Sequence, residues 1–400
     1  MKINKRHLTY CSNIHPGERW EDVFLALKNN IPAIKKTLSA DGPFGVGLRL
    51  SNEAAEDIQG ENLESFKRWL QEEDLYVFTM NGFPFGGFHG KVVKDKVYSP
   101  DWTTLSRLTY TTKLFDILAT LLPKNMDGGI STSPISYKAW FENDQDRERA
   151  SKAGAHHMAR VAHHLVKIKE QTGKSMHLDI EPEPDCLIEN TAEMVSFFNH
   201  QMLPEGIAYL SKQAGMSKAQ AEDAIREHIQ LCYDICHFAV AYEKPGEVID
   251  TMKKEGIRIG KIQVSAALKA QFNGNENDQP VIDAFAAFDE STYLHQVKEK
   301  KIDGSIRSYP DLREGLEAFD GSAKEWRTHF HVPIFLEEYG VLQSTRSDIE
   351  EVASMLSKKG ISNHLEVETY TWGVLPKDMQ TDIQTSILRE LQWFKGILKH

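Results

Sequence analysis

The chain has 400 residues, of which 40% are hydrophobic and 26% are charged, a composition typical of a globular protein with a large core. Its formal net charge of -11 argues against nucleic acid or an anionic membrane surface as a partner. No apolar run approaches the roughly 20 residues of a membrane helix, and the start lacks the apolar segment of a secretory signal. We therefore expect a cytoplasmic protein without a membrane span. Its four cysteines are too few and too scattered for a disulfide scaffold.

Short apolar strands alternate with longer amphipathic helices over the first two thirds of the chain. Strands are predicted at 8–12, 44–50, 75–80, 129–133, 176–181, 231–235 and 257–265, and helices at 20–38, 101–122, 144–171, 191–210, 218–229 and 245–254. Ser51 is the predicted N-cap of a helix after the second strand. The third strand leads into a glycine- and aromatic-rich loop at 81–89.

The pattern becomes irregular after about residue 268. A hairpin is predicted from segments 293–297 and 305–308, which flank Asp303 and Gly304. A helix at 312–319, a strand at 329–336, a helix at 347–358, a last strand at 364–371 and a terminal helix at 382–398 follow.

This alternation predicts a parallel sheet, because parallel strands need crossover helices. Eight such repeats close a (β/α)8 TIM barrel, which typically needs about 250 residues. We predict a single barrel domain over 1–400, with the surplus length in an extended third βα loop and an insertion at about 268–326. A doubly wound open sheet is the alternative, but the glycine-rich phosphate loop expected after its first strand is absent.

One stretch concentrates negative charge at a strand end. Asp179, Glu181, Glu183 and Asp185 occupy alternate positions, with prolines between the last three. Alternate residues of a strand share a face, and like charges gathered there repel each other unless a cation lies against them. A metal site and a solvated acidic loop both remain open for this stretch.

Polar residues recur where the other predicted strands end, which is where TIM barrels place their active sites. They include Asn13 and His15, Arg49, Asn81 and His89, residues 131–133, Asp234 and His237, Gln263, and Glu366 and Glu368. Carboxylates from separate strands, joined by a histidine or an amide, form an oxygen-rich site for a divalent ion such as manganese, magnesium or zinc. Such an ion polarises a carbonyl, stabilises an enediolate or activates water.

The succession Glu181, Asp234-Ile235-Cys236-His237 and Glu368 resembles the xylose isomerase-like TIM-barrel superfamily of sugar isomerases, ketose 3-epimerases and endonuclease-IV-type enzymes. The resemblance implies that Glu181, Asp234 and Glu368 bind the metal and that His237 contacts the substrate. It also implies that the two glutamates move the proton next to the carbonyl.

The chain departs from that superfamily at strand seven, where a histidine is usual and this chain has Lys261-Ile262-Gln263-Val264-Ser265. Gln263 is one candidate for the missing ligand. His329, His331 and His295 are the alternatives.

Further residues are predicted to contact the substrate, namely His15, Arg49, Asn81, His237, His329, His331 and Arg307. Arg49 stands inside an apolar strand and needs a partner, because an unpaired buried charge is very costly. The loop with Phe83, Phe85 and Phe88 is either a lid over an apolar ligand or ordinary packing.

Several longer motifs resemble the narrower EboE family of the Ebo gene cluster. They are segments 8–18, 44–51, 81–84, 177–184, 329–333 and 369–373. The resemblance implies a role in making or moving a small sugar-like or prenyl-derived metabolite, with partners from the same cluster.

Two functions of different classes follow. The first is a metal-dependent isomerase or epimerase acting on a hydroxycarbonyl compound, and the second is a non-catalytic protein that binds or carries a metabolite. Carboxylates that hydrogen-bond to one another, with His237 turned away, would favour the second. A metal-dependent hydrolase or endonuclease is a distant third, because the chain is acidic and lacks basic clusters.

Overall fold

A computed structural model describes residues 1–90, 92–273, 278–377 and 380–398. Residues 274–277 of the predicted insertion lie outside the described residues. The described strands are β1 Lys2–Ile3, β2 Arg6–Tyr10, β3 Phe44–Arg49, β4 Leu75–Asn81, β5 Gly128–Thr132, β6 Met176–Ile180, β7 Ile229–Asp234, β8 Ile259–Val264, β9 Ala266–Gln271, β10 Val297–Lys301, β11 Ile306–Tyr309, β12 Ala323–Val332, β13 Glu338–Tyr339, β14 Leu342–Ser344 and β15 His364–Val367.

Helices connect these strands and cover the outside of the sheet. They are α1 Trp20–Leu38, α2 Asn52–Asp57, α3 Glu61–Glu72, α4 Leu105–Leu121, α5 Asp144–Thr172, α6 Thr191–Phe197, α7 Leu203–Ala214, α8 Lys218–His228, α9 Ile235–Val240, α10 Pro245–Lys254, α11 Gln279–Ala286, α12 Leu312–Glu317, α13 Arg346–Lys358 and α14 Ile383–Ile397. Among the described helices, none is both long and apolar enough to cross a membrane.

The first sheet has the order β1-β2-β15-β8-β7-β6-β5-β4-β3, and all of its pairs except β1–β2 are parallel. Its two ends meet at a bridge between Cys11 and Gly47. There the Thr9 hydroxyl donates to the Gly45 carbonyl at 2.7 Å and accepts from the Gly47 amide at 3.1 Å. The predicted (β/α)8 barrel is therefore confirmed.

Local sequence explains the helix boundaries. The Ser51 hydroxyl accepts from the Ala54 amide at 3.0 Å, as expected of the predicted N-cap. The single helix predicted at 191–210 is interrupted by a π-helical turn at Phe198–Met202. Pro204 explains the interruption, because it cannot donate to the carbonyl of residue 200 and its ring would clash with that group.

The late, irregular part of the chain forms a second, antiparallel sheet in the order β11-β10-β12-β9-β14-β13. Its strand β9 begins two residues after β8 ends, so the seventh barrel strand continues directly into it. The predicted hairpin corresponds to β10 and β11, which pair from Val297–Tyr309 to Lys300–Ile306. The strand predicted at 329–336 is the end of β12, a strand of this second sheet and not of the barrel.

The inside of the barrel is unusually polar, because branched apolar residues normally fill this space. Lys261 on β8 and Glu366 on β15 form an ion pair there and are fully buried. The Lys261 ammonium also lies 3.3 Å from the Ser131 hydroxyl. Burial is the largest single influence and lowers the pKa of Lys261, but Glu366, Cys232 and Cys11 together with the hydrogen bond to Glu366 outweigh burial and raise that pKa. A Cβ atom at position 47 would collide with Glu366, so glycine makes room for this ion pair.

Candidate metal centre

Three carboxylates meet at the carboxyl end of the barrel. Glu181 directly follows β6, Asp234 is the last residue of β7, and Glu368 directly follows β15. One oxygen of each lies within 4.8 Å of the others, and no more than 4% of any of the three residues is exposed. The structure therefore brings together the three carboxylates that the sequence predicted as metal ligands.

Hydrogen bonds hold these carboxylates in place and leave oxygen atoms free. Asp234 Oδ1 accepts from the Ser265 hydroxyl at 2.7 Å and from the His237 amide at 3.1 Å. Glu368 Oε1 accepts from the side-chain amides of Asn13 at 2.8 Å and Asn81 at 2.9 Å. In the described part of the chain, Asp234 Oδ2 and Glu181 Oε2 are buried without a hydrogen-bond partner. Unpartnered buried oxygens are costly, and a cation would satisfy them.

The electrostatics of the cluster indicate the same need for positive charge. Burial, followed by the facing charges of Glu368 and Asp234, raises the pKa of Glu181 well above its usual range. Burial, followed by the charges of Asp234 and Glu366, also raises the pKa of Glu368 well above its usual range. Without a cation, burial and mutual repulsion disfavour the ionised carboxylates, and a divalent ion would offset that repulsion.

His331 reaches this cluster from β12 of the second sheet. Its Nδ1 donates to the main-chain carbonyl of Glu368 at 3.0 Å, which leaves the lone pair on Nε2. That Nε2 lies 3.9 Å from Asp234 Oδ2 and has no hydrogen-bond partner among the described residues. Burial lowers the pKa of His331 to about 4, so the ring is neutral and suited to bind a metal.

The other candidates for the missing strand-seven ligand are placed differently. His295 is engaged by Glu290 at 2.8 Å and by the carbonyl of His329 at 2.9 Å. Gln263 is buried on β8, where it pairs with Asp234 and Glu366 on the neighbouring strands. The Nε2 atoms of His329 and His331 and both polar side-chain atoms of Gln263 lack a hydrogen-bond partner among the described residues. Of the three candidate histidines, His331 is the one whose ligand atom groups with Asp234.

Two more histidines line the same space. The Nδ1 atom of His237 donates to the carbonyl of Pro182 at 2.8 Å, and its Nε2 lies 3.7 Å from Asp234 Oδ2. His329 donates from Nδ1 to the side-chain oxygen of Gln296 at 2.8 Å, and burial lowers its pKa well below the usual range. Asp234, His237 and His331 consequently form a second possible ligand set beside the three carboxylates.

A pocket lies over the cluster, and concave pockets are where proteins bind small molecules. Its polar lining consists of Asn13, Asn81, Lys94, Glu181, Glu183, His237, His329, His331 and Glu368. Its apolar and aromatic lining consists of Phe83, Pro84, Phe88, Val93, Val97, Tyr98, Tyr293, Leu294 and Tyr370. The pocket thus combines a charged floor with an aromatic wall.

The wall comes from the loop between β4 and α4, from residues 293–294 and from Tyr370 after β15. Phe83 and Phe88 are 6% and 5% exposed and line the pocket, so the loop covers the site. Phe85 packs against Tyr110 outside the pocket, at 5.0 Å between ring centroids. The Tyr98 hydroxyl donates to Glu183 at 2.7 Å, and burial raises the pKa of Glu183 to about 7.

Sequence reasoning gave no role to Tyr98, Tyr293 or Tyr370. They lie on connections far apart in the chain, where neither strand periodicity nor motif spacing marks them. The aromatic residues of the third loop indicated that an apolar wall was present. They did not identify the other residues of that wall.

The structure does not bring three predicted substrate contacts to the pocket. His15 is bonded to the Tyr10 hydroxyl at 2.9 Å and, with Arg49, lines a smaller cavity. Arg49 lies 3.4 Å from the carboxylate of Glu18, which is the partner that its buried charge requires. Arg307 is stacked over Tyr309 in the second sheet, 4.8 Å from the ring centroid, and lies outside the pocket because its hairpin faces solvent.

The four acidic residues from Asp179 to Asp185 lie in different environments. Asp179 lies two residues before Glu181, on β6, and is hydrogen-bonded to His177 at 2.7 Å. Asp185 is bonded to Lys298 at 3.1 Å. Glu181 and Glu183 face the pocket.

Glu390 on α14 connects the segment after β12 to the segment after β15 through hydrogen bonds. Its Oε1 accepts from the Ile334 amide at 3.1 Å and from the Thr369 hydroxyl at 2.7 Å. Burial raises the pKa of Glu390 from 4.5 to about 7, although these hydrogen bonds oppose the shift. The protonated form is therefore the one that the folded protein favours, and the associated stability is lost as the pH rises through about 7.

Replacing Glu390 with glutamine is expected to stabilise the protein above pH 7 by at most about 3 kcal/mol and to change little at pH 5. Glutamine keeps the accepting oxygen and carries no charge. Urea unfolding at pH 5 and pH 8.5 measures the difference, with exposed Glu338→Gln as the control. Equal changes at both pH values would contradict the expectation.

Comparisons with known proteins are consistent with the architecture. No protein-family model and no curated protein matches the chain. A xylose isomerase-like TIM barrel protein from Mycobacterium smegmatis, solved in complex with magnesium, is similar in structure with a TM-score of 0.51 and 9% identity, covering 98% of this chain and 96% of that one. The IOLI protein with a bound zinc atom has a TM-score of 0.49 and 12% identity, covering 98% of each chain. The Mycobacterium smegmatis structure supports the fold alone, which is that of the xylose isomerase-like TIM barrels.

Proposed function

We propose that the chain is a metal-dependent isomerase or epimerase that acts on a small, sugar-like hydroxycarbonyl compound. The observation that carries this proposal is the convergence of unpartnered ligand atoms at the pocket floor. Glu181 Oε2, Asp234 Oδ2 and His331 Nε2 are buried there without hydrogen-bond partners in the described residues.

The donor set fits a divalent ion. Glu181, Asp234, Glu368 and His331 would hold it, with His331 in the place for which Gln263 was the first candidate. Three carboxylates and one imidazole suit manganese, magnesium or zinc. When bound, such an ion polarises a carbonyl oxygen and supports charge that develops on it.

The residues of the chain supply the remaining chemistry. Glu181 and Glu368 reach the pocket from different strands, so they can take and return the proton beside a substrate carbonyl. Asn13 and Asn81 fix one oxygen of Glu368 and thereby orient the carboxylate. His237, held by Pro182, presents Nε2 toward a substrate hydroxyl, and the aromatic wall limits the access of water.

Contacts in the site favour catalysis over passive binding. A carrier that had lost its metal should pair its carboxylates with one another. Here the hydrogen bonds of Asp234 and Glu368 go to Ser265, Asn13, Asn81 and the His237 amide. His237 also faces the site at 3.7 Å from Asp234.

The resemblance to EboE extends the proposal to biological context. It supports a sugar-like or prenyl-derived metabolite as substrate, within a biosynthetic or traffic pathway whose partners share a gene cluster. The sequence motifs alone support this part. The aromatic wall of the pocket is compatible with a substrate that has an apolar portion.

Metal analysis of protein purified without chelator and supplied with manganese or zinc tests the proposal. We expect bound ion in the wild type, less in Asp234→Asn, and unchanged content in Asp185→Asn, the control on the loop that carries Glu181. Solvent deuterium should enter the carbon next to the carbonyl in a panel of ketoses and aldoses. A wild-type protein that binds no divalent ion would refute the metal enzyme, and bound ion without exchange on any sugar would favour the carrier.

A further inference from the structure

A second group of ligand atoms lies at the opposite, amino-terminal end of the barrel. It consists of Asp127, His177 and His364, whose ligand atoms lie within 4.8 Å of one another. Asp127 directly precedes β5, His177 is the second residue of β6, and His364 is the first residue of β15. We propose that these three residues bind a transition metal ion of the zinc type, independently of the activity proposed above.

This position is distinct from the carboxylate cluster. His177 and His364 each precede their strand's cluster residue, Glu181 or Glu368, by four positions. At a rise of about 3.3 Å per residue, the two sites are roughly 13 Å apart along the barrel. The ion pair of Lys261 and Glu366 lies between them.

The distances are those of a site that closes slightly around an ion. His364 Nε2 is 3.6 Å from Asp127 Oδ1, and His177 Nε2 is 3.9 Å from Asp127 Oδ2. Donors bound at about 2.1 Å to a tetrahedral zinc ion are about 3.4 Å apart. Each histidine nitrogen exceeds that separation from one Asp127 oxygen by about half an ångström or less, with Oδ1 facing His364 and Oδ2 facing His177. The side chain of Asp127 is 46% exposed, which gives an ion access and leaves water as the fourth ligand.

His177 is oriented as metal-binding histidines are. Its Nδ1 is 2.7 Å from Asp179 Oδ1, so its Nε2 lone pair faces Asp127. Metal-ligating histidines commonly donate their second ring N–H to a carboxylate. Glycines on β5 and β8 leave room for this pair, because a Cβ atom at Gly129 or Gly260 would collide with His177 and Asp179.

His364 supplies the independent observation. It is fully buried, and neither ring nitrogen has a hydrogen-bond partner in the described part of the chain. Its Nε2 is aimed at Asp127, while Phe78 lies edge-on to its ring at 5.0 Å. Nearby His7 is already bonded to Tyr76 at 2.9 Å and is not needed as a ligand. A metal ion would satisfy the ring nitrogen that is otherwise left unpaired.

Zinc binding to the full-length, chelator-treated protein tests the proposal in a background where the carboxylate cluster is disabled. Asp234→Asn protein should still bind one equivalent of zinc, and the ion should raise its melting temperature. Asp234→Asn/Asp127→Ala should lose that equivalent of zinc and the rise in melting temperature. Because the side chain of Asp127 is about half exposed, its replacement carries a small risk of misfolding. Asp234→Asn/His364→Gln should lose them as well.

Two further variants separate a metal site from a simple ion pair. Asp179→Asn should keep the stoichiometry and weaken zinc binding by about 10–100-fold, as expected for loss of a carboxylate behind a ligating histidine. His7→Gln should leave zinc binding unchanged. If Asp234→Asn binds no zinc, or if Asp127→Ala removes none, the proposal is overturned. If the carboxylate site alone fails to bind metal, the wild type will bind one equivalent of zinc and Asp234→Asn will bind the same amount.

Discussion

Replacing Lys261 with methionine is expected to lower the free energy of unfolding by about 3–5 kcal/mol. Methionine fills a similar volume but removes the only charge that compensates the buried Glu366 carboxylate in this ion pair. Both side chains are fully buried, so water cannot replace the lost ammonium. Breaking a buried pair is costly for this reason, even where the intact pair contributes little net stability.

A double-mutant cycle distinguishes this cause from a packing defect. Lys261→Met/Glu366→Gln should recover most of the stability lost in Lys261→Met, because no uncompensated charge remains. Lys113→Met, which breaks the exposed pair with Glu56, should cost less than about 1 kcal/mol. Urea unfolding of the wild type, Lys261→Met, Glu366→Gln, the double variant and Lys113→Met gives the comparison. Additive losses in the cycle would mean that the ion pair is not the cause.

The ion pair also affects the site above it. Lys261 opposes the rise in the pKa of both Glu181 and Glu368, which burial and neighbouring carboxylates cause. Its positive charge therefore favours the ionised form of both carboxylates, which is the form that binds a cation.

The barrel could be predicted because its signals are local. Strand Phe44–Arg49 reads as a buried apolar segment, and helix Trp20–Leu38 has its apolar residues at helical spacing. The carboxylates Glu181, Asp234 and Glu368 could be selected because strand ends are identifiable from the same pattern. Their convergence then follows from closure of the barrel.

The remainder of the site depends on pairing between distant segments. The strand character of His329 and His331 was visible, but its sheet was not, because β12 pairs with β9 and β10 rather than with a barrel strand. No local pattern specifies that choice. Lys261 likewise carried no prediction of its own, and the parallel register with β15 is what brings it near Glu366.

Replacing Glu368 with glutamine is expected to lower the rate of proton exchange at the substrate carbon by about 10²–10⁴-fold, the contribution usual for a positioned acid or base. The amide can still accept from Asn13 and Asn81 through its oxygen, so the fold and the orientation of the side chain should persist. It cannot take up a proton, and it is a weaker metal ligand than a carboxylate.

Two measurements together separate these effects. Metal affinity, measured by calorimetry, reports the ligand role, and solvent deuterium incorporation at saturating metal reports the proton role. Glu183→Gln is the matched comparison, because Glu183 lines the same pocket and is bonded to Tyr98 at 2.7 Å but lies outside the ligand cluster. The exchange rate of Glu183→Gln should change by less than about 10-fold, because Glu183 does not transfer the proton in the proposed mechanism. If exchange survives in Glu368→Gln at saturating metal, Glu368 does not transfer the proton and Glu181 is the single base. The reaction would then be a one-base epimerisation and would not use both glutamates.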